Sequence, residues 1–144
     1  MSEAITITIT GIPRPGGSKT AFRNKYSGKV NMVDSGKGNT GWKTLVAYTA
    51  RQQYQGQPLD GPLRVMATFF MPRPRGHFNA KGILKASAPT FPTTKPDATK
   101  LWRSTEDALS GVLWVDDARI VSQGQAKVYA VGQPGAIVTV EAMK

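Results

Sequence analysis

Cysteine is absent from the 144 residues, and histidine occurs once, at position 77. The first absence excludes disulfides, cysteine-ligated zinc, iron–sulfur clusters and thiol catalysis, and it suits a reducing cytoplasm. The second leaves His77 alone in a loop without a partner motif, where an incidental role outweighs a catalytic one. No stretch approaches the ~18 continuous apolar residues of a membrane span. The N-terminal MSEAITITIT is acidic where a secretory signal is basic, and it alternates where a signal is continuously apolar. A soluble intracellular protein with no membrane partner is the expectation. Acid is scarce too: 9 Asp plus Glu stand against 19 Lys plus Arg, a formal charge of +10. Such a field gathers polyanions, and with no basic amphipathic helix in view it points to nucleic acid ahead of lipid.

What is present is enough apolar content, 40% of residues, to build one core in a chain of this length. AITITITGI (4–12) alternates with period two and ends at Pro13, as a half-buried strand does. Residues 13–33 hold Pro, Gly and the basic residues Arg14, Lys19, Arg23, Lys25 and Lys29, with a KYSGKV turn able to close a short hairpin. This stretch is either a phosphate-contacting loop or an ordinary solvated one. From Asn39 or Thr40 as N-cap, Trp42, Leu45, Val46, Thr49 and Ala50 mark an amphipathic helix, stopped by GQP at 56–58. GKG at 36–38 lacks the full spacing of a phosphate loop.

PLRVMATFFM (62–71) reads as a strand buried on more than one side. The loop 72–96 is long and carries Arg73, Arg75, Lys81, Lys85 and Lys95, and loops of that length are usually functional or disordered. Pro96 and Asp97 open a second helix with Leu101, Thr105, Ala108, Leu109 and Val112 on its apolar face and Lys100, Arg103, Ser104 and Asp107 opposite. Gly111 is the expected C′ residue, and VLWV continues as an extended segment into Asp116 and Asp117. RIVSQGQAKVYAVG (119–132) and AIVTVEAM (136–143) read as strands joined in a hairpin at GQPG. The fold class is therefore α+β, a single domain with a mixed β-sheet packed against two main helices.

Residues 93–117 hold five of the nine carboxylates: Asp97, Glu106, Asp107, Asp116 and Asp117. Helical rise of about 1.5 Å against extended rise of about 3.3 Å lets residues 112–117 run back over 98–110, returning Asp117 to the level of Asp97. Gathered carboxylates in a basic protein suit Mg²⁺ or Mn²⁺, which hydrolyse phosphodiesters by activating water and neutralising the phosphate. The plainer alternatives are an N-cap at Asp97, an i, i+4 pair of Asp107 with Arg103, and turn roles for Asp116 and Asp117.

KPDATKLWRSTEDALSGVLWVDDARIV closely resembles the signature KPDxDNLxKxxxDALxGxxxxDDxQI of the RusA family of Holliday junction resolvases. The early GIPRPGGSK is similar to the family's Gly-x-Pro-x-Pro segment. The resemblance runs from about residue 5 to the end and implies a single RusA-like endodeoxyribonuclease domain over 1–144. It implies a homodimeric, Mg²⁺-dependent endodeoxyribonuclease, with Mn²⁺ as a substitute, acting on branched DNA, above all four-way junctions. A bacterial host or phage-infected cell is the implied setting. By the same resemblance Asp97 and Asp117 are metal-binding and catalytic, Asp116 is a further metal candidate, and Asp107 matches the acid of the DAL segment. Arg103 stands where the family has a catalytic lysine; its guanidinium is a poor proton donor, so electrostatic stabilisation is its expected role. Thr99 and Lys100 occupy the second aspartate and the asparagine of DxDN. Thr99 is carried as a catalytic candidate whose neutral hydroxyl can serve as a ligand or hold a metal-bound water; it brings one negative charge less, and Asp116, Asp107 or Glu106 would have to compensate. Arg14, Lys19, Arg23, Lys25, Arg73, Arg75, Lys95 and Lys100 are the expected DNA contacts, and Phe22, Phe78, Phe91 or Trp102 the candidates for stacking on exposed bases. A non-catalytic DNA-binding accessory protein is the rival.

Overall fold

The structure, a computed structural model, describes residues 4–16, 19–23, 30–34 and 39–144; for 19–23, 30–34, 39 and 40 it describes the backbone only. Strand β1 (Ala4–Thr10) is followed by a hairpin of β2 (Lys19–Arg23) and β3 (Val30–Asp34), helix α1 (Asn39–Gln53) and strand β4 (Leu63–Met71). Helix α2 (Ala98–Leu109) then precedes β5 (Ile120–Tyr129) and β6 (Gly135–Ala142). The expected hairpin in 13–33 forms, with Lys19 paired to Asp34 and Arg23 to Val30. Its turn, with Lys25, lies outside the described residues.

The main sheet has the order β1-β6-β4-β5, antiparallel except for the parallel pair β4 and β5. Sequence alternation fixes its register. Ile5, Val140 and Val65 align across three strands, as do Ile7, Val138 and Ala67, and then Ile9, Ala136 and Phe69. Most of these side chains are buried in the core together with Trp42, Val46 and Ala50 of α1 and Leu101, Trp102 and Leu109 of α2. A one-residue slip in any strand would turn its whole apolar set to the other face. The helices are linked inside the core by Trp42 Nε1, which donates to Thr105 Oγ1 at 3.0 Å.

The sheet and the buried face of α2 differ from expectation at three points. β4 is central, yet its burial alternates strictly at first and only half-covers Thr68 and Phe70 later, so one face carries the helices while the other stays open. β5 and β6 do not form a hairpin, because β4 lies between them. The parallel β4–β5 pair is made through α2, and the link 130–134 then steps across β4, a distance of about 10 Å that five residues cover easily. Ser104, expected on the polar face of α2, is fully buried. No described helix is long and apolar enough to cross a membrane.

Candidate active site

Asp97 occupies the N-cap position of α2 with extended backbone angles, but its side chain makes no capping hydrogen bond. Its carboxylate is exposed, and among the described residues its ion-pair partner is Lys100 Nζ at 3.9 Å. Thr99 and Arg103 are also exposed, and their i, i+4 spacing, continued by Glu106, stacks the three along one side of the helix.

Behind them, α2 grips the segment that follows β1. The Ser104 hydroxyl lies 2.6 Å from Arg14 O and 3.0 Å from Leu101 O, so its one proton is shared with Arg14 as the shorter partner. Gly16 N donates to Lys100 O at 2.8 Å. A Cβ on Gly16 would sit 3.2 Å from Ser104 N and 3.5 Å from Arg103 Cγ, so a larger residue would push this loop a few tenths of an ångström off the helix backbone. The GIPRPG segment is thereby fixed beside the helix that carries Asp97, Thr99 and Arg103.

At the other end of α2, Gly111 takes φ +82°, as a C′ residue does. VLWV is not extended. Val112 N and Leu113 N both donate to Leu109 O, and Gly111 N donates to Trp114 O, which makes a compact turn. Leu113 and Trp114 are consecutive and both fully buried, which a strand with alternating faces would not allow here. The length balance that placed Asp117 level with Asp97 therefore loses its premise. Trp114 Nε1 donates to Asp117 Oδ1 at 2.8 Å, fixing that carboxylate from the core, while Asp116 Oδ1 accepts from Ala118 N.

The α2 acid that feels Asp117 is Glu106. Its pKa is raised first by partial burial, then by the negative charges of Asp117 and Asp107. The Trp102 indole N–H, which donates to Gln123 Oε1 at 2.9 Å, offsets that rise only in part. Asp107 is paired with Lys43 of α1 at 3.4 Å rather than with Arg103.

Among the described residues no group of three or more Asp, Glu or His side chains could hold a metal, so Asp97, Asp116 and Asp117 are not such a group. The donors nevertheless suit a hard cation. They are all oxygens, and Mg²⁺ is ordinarily held by one or two carboxylates completed by water and substrate phosphate.

The basic candidates divide. Arg14, Arg75 and Lys95 are exposed and Lys100 is half-buried. Arg73 is committed within the protein: it donates to Pro89 O at 2.8 Å, lies 5.0 Å from the Tyr129 ring centre and contacts His77 Nδ1 at 3.3 Å. Arginine can only donate, so His77 Nδ1 is the acceptor there, and the ring packs edge-on to Tyr129 at 4.8 Å. His77 is thus part of loop packing. The side chains of Lys19, Arg23 and Phe22, and the whole of Lys25, lie outside the described residues. Trp102 is core, Phe78 is half-buried and Phe91 is exposed.

Sequence reasoning missed Ser104, Trp114, Gln123, Lys127 and Tyr129. Lys127 Nζ donates to Thr94 O at 2.6 Å and Pro96 O at 2.9 Å, drawing the end of the long loop onto β5. The signal was the alternation of Gln123, Gln125, Lys127 and Tyr129 on one face of a strand otherwise read only for its apolar residues. The Gln125 amide nitrogen is buried without a hydrogen-bond partner among the described residues.

No similar sequence is found among curated proteins. The model of one protein family, Endodeoxyribonuclease RusA, matches residues 13–141. That span takes in residues 13–16 of the clamped loop, α2 and the Asp116–Asp117 pair, and on its strength the chain belongs to the RusA endodeoxyribonuclease family.

Proposed function

We propose that this protein is a structure-selective endodeoxyribonuclease that resolves Holliday junctions and related branched DNA by paired nicking, as a homodimer, in recombination and repair. The observation that carries the reading is the family match over 13–141, joined to an Asp97 carboxylate left unspent by the helix it caps. Asp97 and Asp117 are the residues we assign to a divalent cation, with Asp116 and Glu106 as neighbouring oxygen donors. Bound there, Mg²⁺ or Mn²⁺ supplies charge neutralisation at the phosphate and a more acidic water.

The chain's own residues have separable tasks. Trp114 holds Asp117 in one orientation through its indole N–H. Arg103 places a guanidinium where it opposes the charge growing on the phosphate. Thr99 offers a neutral hydroxyl where relatives carry an aspartate, which lowers both cation attraction and repulsion of the DNA backbone. Arg14, Arg75, Lys95 and Lys100 suit backbone phosphates, so affinity should fall steeply with salt. Paired nicks need two sites in register, which a two-fold dimer provides.

Thr99 and the lack of a three-acid group among the described residues favour one second reading, a junction-binding protein that does not cut. A labelled synthetic four-way junction and a matched linear duplex, incubated with Mg²⁺, Mn²⁺ or chelator, separate the two. Metal-dependent paired nicks on the junction, lost in Asp97→Asn and Asp117→Asn, are expected. Junction binding without nicks in either metal would replace the nuclease by the accessory protein.

A further inference from the structure

A recess of about 490 Å³ opens directly before α2, lined by the 13–15 segment, the end of β4 with its following loop, residues 92–96, and the end of β5. It is of the size that takes small organic ligands, about 300–1,000 Å³. Its chemistry has two parts. The walls are largely proline from three separate segments, with Met71 and Tyr129, so they are apolar and stiff. Among the described residues, the charged ones lining it are Arg14, Lys95 and Lys127, with no carboxylate.

Each wall is fixed independently. Ser104 and the Lys100 carbonyl hold the 13–16 segment, Lys127 holds Thr94 and Pro96, and Arg73 with His77 holds the Tyr129 ring. Lys127 uses two of its three ammonium protons on those carbonyls, leaving one donor. A plain duplex backbone would gain from the cations but nothing from a concave apolar recess. A ligand with a flat apolar body, polar edges and an attached anion would gain from both.

We propose that this recess holds one unpaired nucleotide at the branch point of the DNA, its base against the proline and Tyr129 walls and its phosphates near Arg14, Lys95 and Lys127. The inference rests on the reading that the protein binds branched DNA. The lining ends at Pro96, so a nucleotide seated there lies beside Asp97, and the recess selects which phosphodiester is presented. A nucleotide unpairs at less cost at a strained branch than within a continuous duplex, which gives the shape preference a physical source.

The test couples a DNA change to a protein change. Junctions carrying a single abasic site at each position flanking the branch are titrated with wild type, Thr94→Trp and Pro72→Trp in chelator. Both substitutions place a large ring in the recess from exposed positions on different walls, and thermal melting checks that each variant is folded. Expected for wild type is one position where loss of the base weakens binding by about fivefold or more, the range of a stacked base. The tryptophan variants should bind intact and abasic junctions alike. The proposal fails if no position matters, or if the abasic loss persists unchanged in both folded variants. Nicking of the intact junction in Mg²⁺ is scored alongside. Coupling without nicking sinks the nuclease reading and leaves the recess standing, and nicking without coupling does the reverse.

Discussion

Ser104→Ala separates the two jobs of a buried hydroxyl. Its Oγ is fully buried, 2.6 Å from Arg14 O and 3.0 Å from Leu101 O. Leu101 O keeps the Thr105 hydroxyl at 2.8 Å, and Arg14 is exposed, so water can reach the freed carbonyl. The lost bond is then worth about 1 kcal/mol, while alanine in a helix interior returns roughly 0.5 kcal/mol. Removing one oxygen leaves no methyl-sized cavity. Net destabilisation should be below about 1 kcal/mol, a change in melting temperature of no more than about 4 °C. The local effect is larger in proportion, because one of two bonds holding the 13–16 segment to α2 is gone and only Gly16 N to Lys100 O remains. Arg14 must then be ordered on binding, and up to about 1 kcal/mol spent there weakens junction affinity about fivefold. The assay is salt-controlled junction titration of Ser104→Ala, Arg14→Ala and the double variant, with melting curves for each. If Ser104 acts through Arg14, the double variant binds about as well as Arg14→Ala alone. Additive losses would refute the clamp, and a fall of ten degrees or more would make Ser104 a residue of the core instead.

Gly16→Ala should cost about 1–3 kcal/mol through overpacking, since its Cβ meets the α2 backbone at 3.2 Å; thermal melting reads the cost and junction titration the displaced loop. Trp114→Phe removes the donor to Asp117 and is expected to lower nicking more than junction binding, and equal losses in both would mean the carboxylate needs no such support. Glu106→Gln tests a raised pKa. A carboxyl held above its unfolded value favours folding most below the unfolded pKa, and this contribution is lost as pH rises through the folded one. At neutral pH in chelator the glutamine variant should therefore be the more stable, by no more than about 1 kcal/mol for a half-exposed group, with the advantage vanishing in acid. Thr99→Asp adds charge in the first turn of α2, where it costs the helix nothing. It should lower the Mg²⁺ concentration for half-maximal nicking by about threefold or more if the cation sits at that end.

How much was legible depended on how far each signal reached along the chain. Period-two alternation in Ile5, Ile7 and Ile9, or Val138 and Val140, is local, and both strands fall where their patterns put them. The start of α2 was equally local, carried by Pro96, Asp97 and the return of Leu101, Thr105 and Leu109. Strand neighbours were not. GQPG looks like a hairpin turn whether or not another strand lies between its arms, and only the parallel crossover through α2 decides that β4 does. VLWV was misread because four apolar residues carry no period that separates a strand from a packed turn. Ser104 was placed in solvent by its polarity, yet its partner is 90 residues away at Arg14. The basic loops were legible as charge and the acids as a cluster. Which cation is spent inside the protein, as Arg73 is, follows only from Tyr129 and Pro89.

The concentration of acid in 93–117 has a structural logic beyond any one ligand. α2 packs against the core through Leu101, Trp102 and Leu109, and it is bonded to α1 through Trp42 and Thr105 and to β5 through Trp102 and Gln123. It also holds the 13–16 segment through Ser104 and Lys100. A carboxylate on a mobile loop of so basic a protein would collapse onto the nearest lysine. On α2 and the turn after it, the backbone is fixed from several sides, and Asp97 stays exposed, its one ion pair among the described residues a long one of 3.9 Å to Lys100, while Asp117 is turned by Trp114. Asp107, facing Lys43, shows what becomes of an acid on this helix that a cation can reach. Rigidity is what keeps Asp97 and Asp117 from closing onto the basic surface around them. Loosening α2 should therefore cost the site its charge arrangement before it costs the protein its fold.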